Sequence, residues 1–78
     1  MTDLEKLTDV FVETFGIDAE TVQGLQYQSI EAWDSVGHMA LIAAIEDAFG
    51  ITMDTDDIID LSSFEKARQI LLKYELSF

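Results

Sequence analysis

The stretch "DSVGHMALIAAIEDAFG", residues 34–50, decides the fold. Leu41, Ile42, Ile45 and Phe49 recur on one stripe at helical spacing, and Gly50 stands where a left-handed C-terminal cap belongs. Asp34 is the natural N-cap, a short side chain able to accept from a free backbone N–H. Strand alternation is sustained neither here nor elsewhere in the chain. A hydroxyl, Ser35, therefore heads a strongly apolar helix directly behind an acid.

Upstream, "TDLEKLTDVFVETFG" places Leu4, Leu7, Phe11 and Phe15 at helical spacing. Thr2 with Glu5 reads as a capping box and Gly16 as a terminator, which predicts a helix over residues 3–15. The connection from Ile17 to Asp34 has room for one turn of helix around "DAETV", and its Val22, Leu25, Tyr27 and Ile30 can pin it across the bundle. Downstream, "DTDDIIDL" suits a short helix burying Ile58, Ile59 and Leu61 beneath an acidic exterior. "SSFEKARQILLKYEL" reads as a last helix, with Ser62 and Glu65 as a second capping box and Phe64, Ala67, Leu71 and Tyr74 facing inward. The expectation is one all-α domain over residues 1–78, a four-helix bundle with three main helices and one short helix.

The 78 residues allow one small core, covering about 60% of the surface an unfolded chain exposes, so stability should be marginal. Cysteine is absent, which removes disulfides and thiolate metal sites; any thiol chemistry must be imported. Sixteen acids against four bases give a net charge of -12, and no Lys or Arg lies between Lys6 and Lys66. That surface repels nucleic acid and anionic lipid and suits basic protein partners. A 49% hydrophobic composition argues for a folded chain despite the charge. The opening "MTDLEKL" has no basic segment followed by an apolar one, and no stretch approaches a membrane span, which predicts a cytoplasmic protein and a monomer. Repulsion among the acids predicts raised carboxyl pKa values and stability that falls as pH rises from about 4 to 6.

Three readings compete for Ser35. Asp34 and Ser35 can be plain helix-start residues that satisfy free N–H groups. Ser35 can be a nucleophile with His38 as its base, although the elbow pattern G-x-S-x-G is only half present: Gly37 fits, and Trp33 occupies the first glycine's place with no strand to carry the turn. Ser35 can also be a point of attachment. A further class of reading is an acidic helical adaptor without a cofactor. The acids of "DTDDIID" do not make an EF-hand, since Ile58 takes the fifth place and no glycine the sixth, and no metal site is expected.

"DSVGHMALI", followed by "EDAFGI" and then a short acidic helix, resembles the acyl carrier protein family over about residues 2–76. The resemblance implies that Ser35 carries 4'-phosphopantetheine, transferred from coenzyme A by a separate phosphopantetheinyl transferase, with Asp34 as the adjacent motif residue and helix cap. The domain itself would then hold no catalytic residue. An anionic phosphodiester at a helix N-terminus is favoured by the free N–H groups and the helix dipole. The arm ends in a thiol and would hold an acyl intermediate as a thioester on a freestanding carrier; an aminoacyl or peptidyl carrier loaded by an adenylating enzyme is the alternative. Its partners would be an acyl-loading enzyme and condensing or acyl-transferring enzymes with basic docking patches.

Residues expected to meet such partners are Trp33, Val36 and Met39 beside the serine, and the acids Glu46, Asp47, Asp56 and Asp57, with Asp54 and Asp60 nearby. Trp33 is read both ways, as core or as a flat apolar docking surface. Fatty-acid carriers often have Leu-Gly-x-Asp-Ser before this helix, and acids two and five residues after the serine. Here Glu31 and Ala32 replace the Leu and Gly, and Gly37 and Ala40 replace the acids. The smaller, less acidic first turn points to a dedicated partner set in a specialised pathway, such as one making a polyketide or a modified fatty acid.

Overall fold

Thr2 opens the first helix: its Oγ1 accepts from the Glu5 N–H at 3.1 Å, while the Glu5 carboxylate accepts from the Thr2 N–H at 3.3 Å. These bonds to Thr2, backbone first and side chain second, hold the Glu5 carboxyl below its usual pKa. The structure, a computed structural model, describes residues 2–74 and 76. Helix α1 spans Asp3–Phe15 and ends at Gly16, whose φ of 64° is the left-handed cap that glycine adopts without strain. One turn, α2, covers Ala19–Val22; α3 spans Ser35–Phe49, α4 Thr55–Asp60 and α5 Phe64–Leu71, followed by a 3-10 turn, Leu72–Tyr74. The fold is small and all-helical, with α1 packed chiefly against α3.

The core is built on aromatic edges. Phe11 meets Phe64 at 5.1 Å and Trp33 at 5.5 Å between ring centroids, both nearly perpendicular, and Phe15 stacks on Trp33 at 5.3 Å. Trp33, Phe11 and Phe64 are the largest fully buried side chains, each contributing about 1.5–3 kcal/mol by burial. Trp33 thus lies wholly in the core and offers no docking surface: Phe11 and Phe15 of α1, with Tyr27 and His38, surround its ring.

The connection between α2 and α3 is fastened to the turn before α5. Tyr27 N–H donates to the Ser62 carbonyl at 2.8 Å, Phe64 N–H donates to the Leu25 carbonyl at 3.0 Å, and Gln26 and Ser63 form an antiparallel bridge. That pairing keeps Ser63 extended, so α5 starts one residue later than its sequence suggests. Ser63, not Ser62, caps it, with Oγ accepting from Lys66 N–H at 2.9 Å. Glu65 closes no capping box and pairs with Arg68 at 3.0 Å. The helix also ends earlier than the sequence pattern, which runs to Leu76 through Glu75, a residue outside those described.

Helix α4 turns differently from its sequence reading. Asp57, Ile58 and Leu61 face inward, an arc of about 100° at 100° per residue, which sends Ile59 outward at 72% exposure. Asp57 is 4% exposed and is no free docking acid. Lys73 Nζ donates to its Oδ1 at 2.5 Å and Tyr74 Oη to its Oδ2 at 2.6 Å, while Tyr74 Oη accepts from Asp54 N–H at 3.0 Å. The Lys73 bond and then the Tyr74 bond lower the Asp57 pKa, and Asp57 in turn raises those of Lys73 and Tyr74.

For Asp57 the shift is therefore opposite to the one expected from crowding. A folded pKa below the unfolded one makes a contribution that is fully present above the unfolded value, about 4, and is lost as pH falls through the folded value. The urea midpoint of Asp57→Asn should lie below wild type at pH 5–7 by a constant gap, and the gap should close as pH drops through the acid range. A gap independent of pH down to acid unfolding would show that the carboxylate's charge is not what matters there.

Candidate functional site

Asp34 has extended backbone, and its Oδ1 accepts from Gly37 N–H at 2.8 Å, so α3 starts with Ser35 exposed on its first turn. Gly37 is close to the preceding loop: a Cβ there would lie 1.8 Å from the Ala32 carbonyl oxygen. The sequence reading took Gly37 as half of an elbow pattern and as a small residue on the contact face. The geometry gives it another reason, since no side chain fits between this turn and the loop.

Beside Ser35 opens a cavity of about 390 Å³ between α3 and α4. Met39, Ile58, Ile59 and Leu61 form its apolar walls, with Tyr27 and Ser62 contributing hydroxyls. Val36 and Met39 are exposed at 79% and 56%, and with Ile59 they bring three apolar side chains to the surface around the serine. Ile59 and Tyr27 were not singled out for the site from sequence. Ile59 looked like core, and Tyr27 lies eight residues before Ser35, where helical periodicity has no reach.

His38 does not serve Ser35. Its Nδ1 accepts from the Trp33 indole N–H at 2.9 Å, which leaves Nε2 as the N–H that donates to the Ile58 carbonyl at 2.7 Å. The imidazole stacks 13° from parallel with Trp33 and is met edge-on by Tyr27. It joins the loop, α3 and α4, and satisfies a carbonyl of the last α4 turn that has no partner within the helix. The side-chain partner of Ser35 Oγ is the Tyr27 hydroxyl at 3.4 Å. The Ser35–His38 pair weighed from the sequence is therefore not formed: the neighbour of the Ser35 hydroxyl is a phenol.

The acids divide into two groups. Glu46 is half-buried, and its Oε2 accepts from Met53 N–H at 2.8 Å, tying the end of α3 to the following loop, much as Asp57 is tied to the 3-10 turn. Asp47, Asp54, Asp56 and Asp60 are exposed. Three of the four bases, Lys66, Arg68 and Lys73, lie on α5 or just after it, and two of them are paired, Arg68 with Glu65 and Lys73 with Asp57. Among the described residues no cluster of three or more acids or histidines could hold a metal ion. No helix there is long and apolar enough to cross a membrane.

An accessible hydroxyl at the head of a long helix, with a phenol donor and an apolar cavity next to it, suits a phosphate-linked arm. No curated protein and no solved structure shows significant similarity to the chain. The family model for a phosphopantetheine attachment site matches residues 5–67, most of the chain. The chain therefore belongs to the phosphopantetheine attachment-site family, carrier domains that bear 4'-phosphopantetheine covalently and are served by a phosphopantetheinyl transferase.

Proposed function

We propose that Ser35 is the attachment residue and that the domain carries an acyl group between enzymes without itself catalysing a reaction. The arm supplies a terminal thiol on which a carboxylic cargo is held as a thioester. The observation that carries the reading is the exposed Ser35 hydroxyl at the rim of the cavity between α3 and α4. Three other hydroxyls in the matched region are engaged in the fold, Thr8 with the Leu4 carbonyl, Ser29 with Gln26 and Ser63 as the α5 cap, and none of the remaining aliphatic hydroxyls heads a long helix.

Acyl cargo is favoured over aminoacyl by the cavity walls. Methionine, isoleucine and leucine side chains dominate them, and no carboxylate lines the cavity to receive an ammonium group. The exposed Asp47 and Asp56, with Val36 and Met39, form the face that basic patches on partner enzymes meet; Trp33 and Asp57 are buried and leave that role. The pathway is a specialised one, in keeping with Gly37 and Ala40 where fatty-acid carriers often place acids.

The test is intact mass after treatment with coenzyme A and a broad-specificity transferase. Wild type should gain one phosphopantetheine, and Ser35→Ala should gain none. Because Asp34 is the cap, Ser35→Ala should shift stability by no more than about 1 kcal/mol. Asp56→Lys should slow the initial loading rate, as should added salt in the wild type. Modification of the Ser35→Ala protein at another residue would overturn the assignment, and indifference to both charge and salt would remove the acidic face from docking.

A further inference from the structure

Tyr27 is half-buried and is held at its main chain and against two neighbouring rings. Its main chain is held by the 2.8 Å bond to the Ser62 carbonyl. Its ring lies edge-on to Trp33 at 6.2 Å and to His38 at 5.6 Å. What projects from this cluster is the phenol oxygen, 3.4 Å from Ser35 Oγ and on the wall of the cavity. A hydroxyl this constrained, aimed at the one atom that would be esterified, is a preorganised donor.

We propose that Tyr27 is a positioning residue for the attached arm: its hydroxyl donates to a non-bridging oxygen of the phosphodiester on Ser35 and so turns the arm along the α3–α4 cavity. The inference rests on Ser35 being the attachment residue. Once esterified, Oγ has no proton to give and is a weak acceptor, while the charge sits on the non-bridging oxygens, two bonds from Oγ through phosphorus. Those oxygens come within reach of a donor that stands 3.4 Å from Oγ. A hydrogen bond to an anionic oxygen is roughly twice as strong as one between neutral groups.

A neutral donor is what this site needs. No Lys or Arg lines the cavity, and Lys66, Arg68 and Lys73 lie on or beyond α5. The N-terminal turn of α3 supplies N–H groups, but the Gly37 N–H is already committed to Asp34. These donors favour the phosphate without selecting a direction for the chain beyond it. Tyr27 does select one, because it approaches from the cavity side.

The test compares holo wild type with holo Tyr27→Phe, both loaded by the same transferase. Intact mass confirms loading first, and a wild type that takes no group would overturn the Ser35 reading rather than this one. Tyr27→Phe keeps the ring and loses only the hydroxyl. Its ³¹P resonance should move from the wild-type position toward that of the holo protein unfolded in urea. Nuclear Overhauser contacts from the arm's gem-dimethyl group to Met39 and Ile59 should weaken or vanish. In unmutated protein, the Tyr27 hydroxyl proton should become protected from exchange on loading, a measurement that does not depend on the variant folding. Unchanged phosphorus resonance and arm contacts in a folded Tyr27→Phe, or a hydroxyl proton equally unprotected in apo and holo protein, would overturn the proposal.

Discussion

Trp33→Ala should leave the protein largely unfolded at room temperature. Removing a fully buried indole costs about 3–5 kcal/mol, against a total of only a few kcal/mol for so small a core. Phe11 and Phe15 lose their contact, and the His38 Nδ1 acceptor loses its donor. Trp33→Phe is the milder change. It keeps one aromatic ring in the core and loses the indole N–H and the second ring, which should lower the urea midpoint by less than Trp33→Ala does, by an amount equivalent to about 1–3 kcal/mol. Far-ultraviolet circular dichroism is the readout for the variants, since Trp33 is the only tryptophan and the variants lose its fluorescence. A Trp33→Ala protein as stable as wild type would mean that the indole is not part of the core.

Gly37→Ala should destabilise, against the rule for helices. At an ordinary helical position the change to alanine gains about 1 kcal/mol. Here the new Cβ would meet the Ala32 carbonyl oxygen at 1.8 Å and the Ala32 carbonyl carbon at 3.0 Å. Both are backbone atoms, and they have little freedom to retreat. The next residue, Trp33, is buried, its N–H donates to the Ile30 carbonyl at 3.2 Å, and its carbonyl accepts from Gln28 N–H at 3.0 Å. Relief must come from moving the start of α3, which stretches the Asp34 cap. We expect a loss of about 1–3 kcal/mol from overpacking and up to about 1 more from the cap. Urea midpoints decide it, and an unchanged or higher midpoint for Gly37→Ala would refute the close approach. Because the displaced turn carries Ser35, loading by the transferase should slow as well.

The elements legible in the sequence are those whose causes are local. Helices α1 and α3 begin and end where their caps and apolar stripes predict, since capping box, N-cap and left-handed glycine all act within four residues of the boundary. Helix α4 was legible as an element and illegible in its rotation, because Lys73 and Tyr74, which draw Asp57 inward, lie 16 and 17 residues away. The start of α5 moved by one residue for a similar reason: a bridge to Gln26 fixes Ser63. At the proposed site, the exposed position of Ser35 at the head of α3 was legible through its place before an apolar helix, and its proposed role rests on the resemblance of the surrounding motif. Its phenolic neighbour was not, since only the folded course of the long connection brings Tyr27 to Ser35.

The cavity beside Ser35 has one rigid wall and one that is a matter of attachment. Helix α3 is long and embedded in the core; α4 has six residues, too few to persist as a helix unaided. Two latches hold it. Asp57 is caught by Lys73 and Tyr74, and the carbonyl of the next residue, Ile58, is caught by His38 on the α3 side. If the proposed acyl cargo enters this cavity, its size becomes a question of leverage: a longer chain would work against two hydrogen-bonded points, while the aromatic core behind them stays in place.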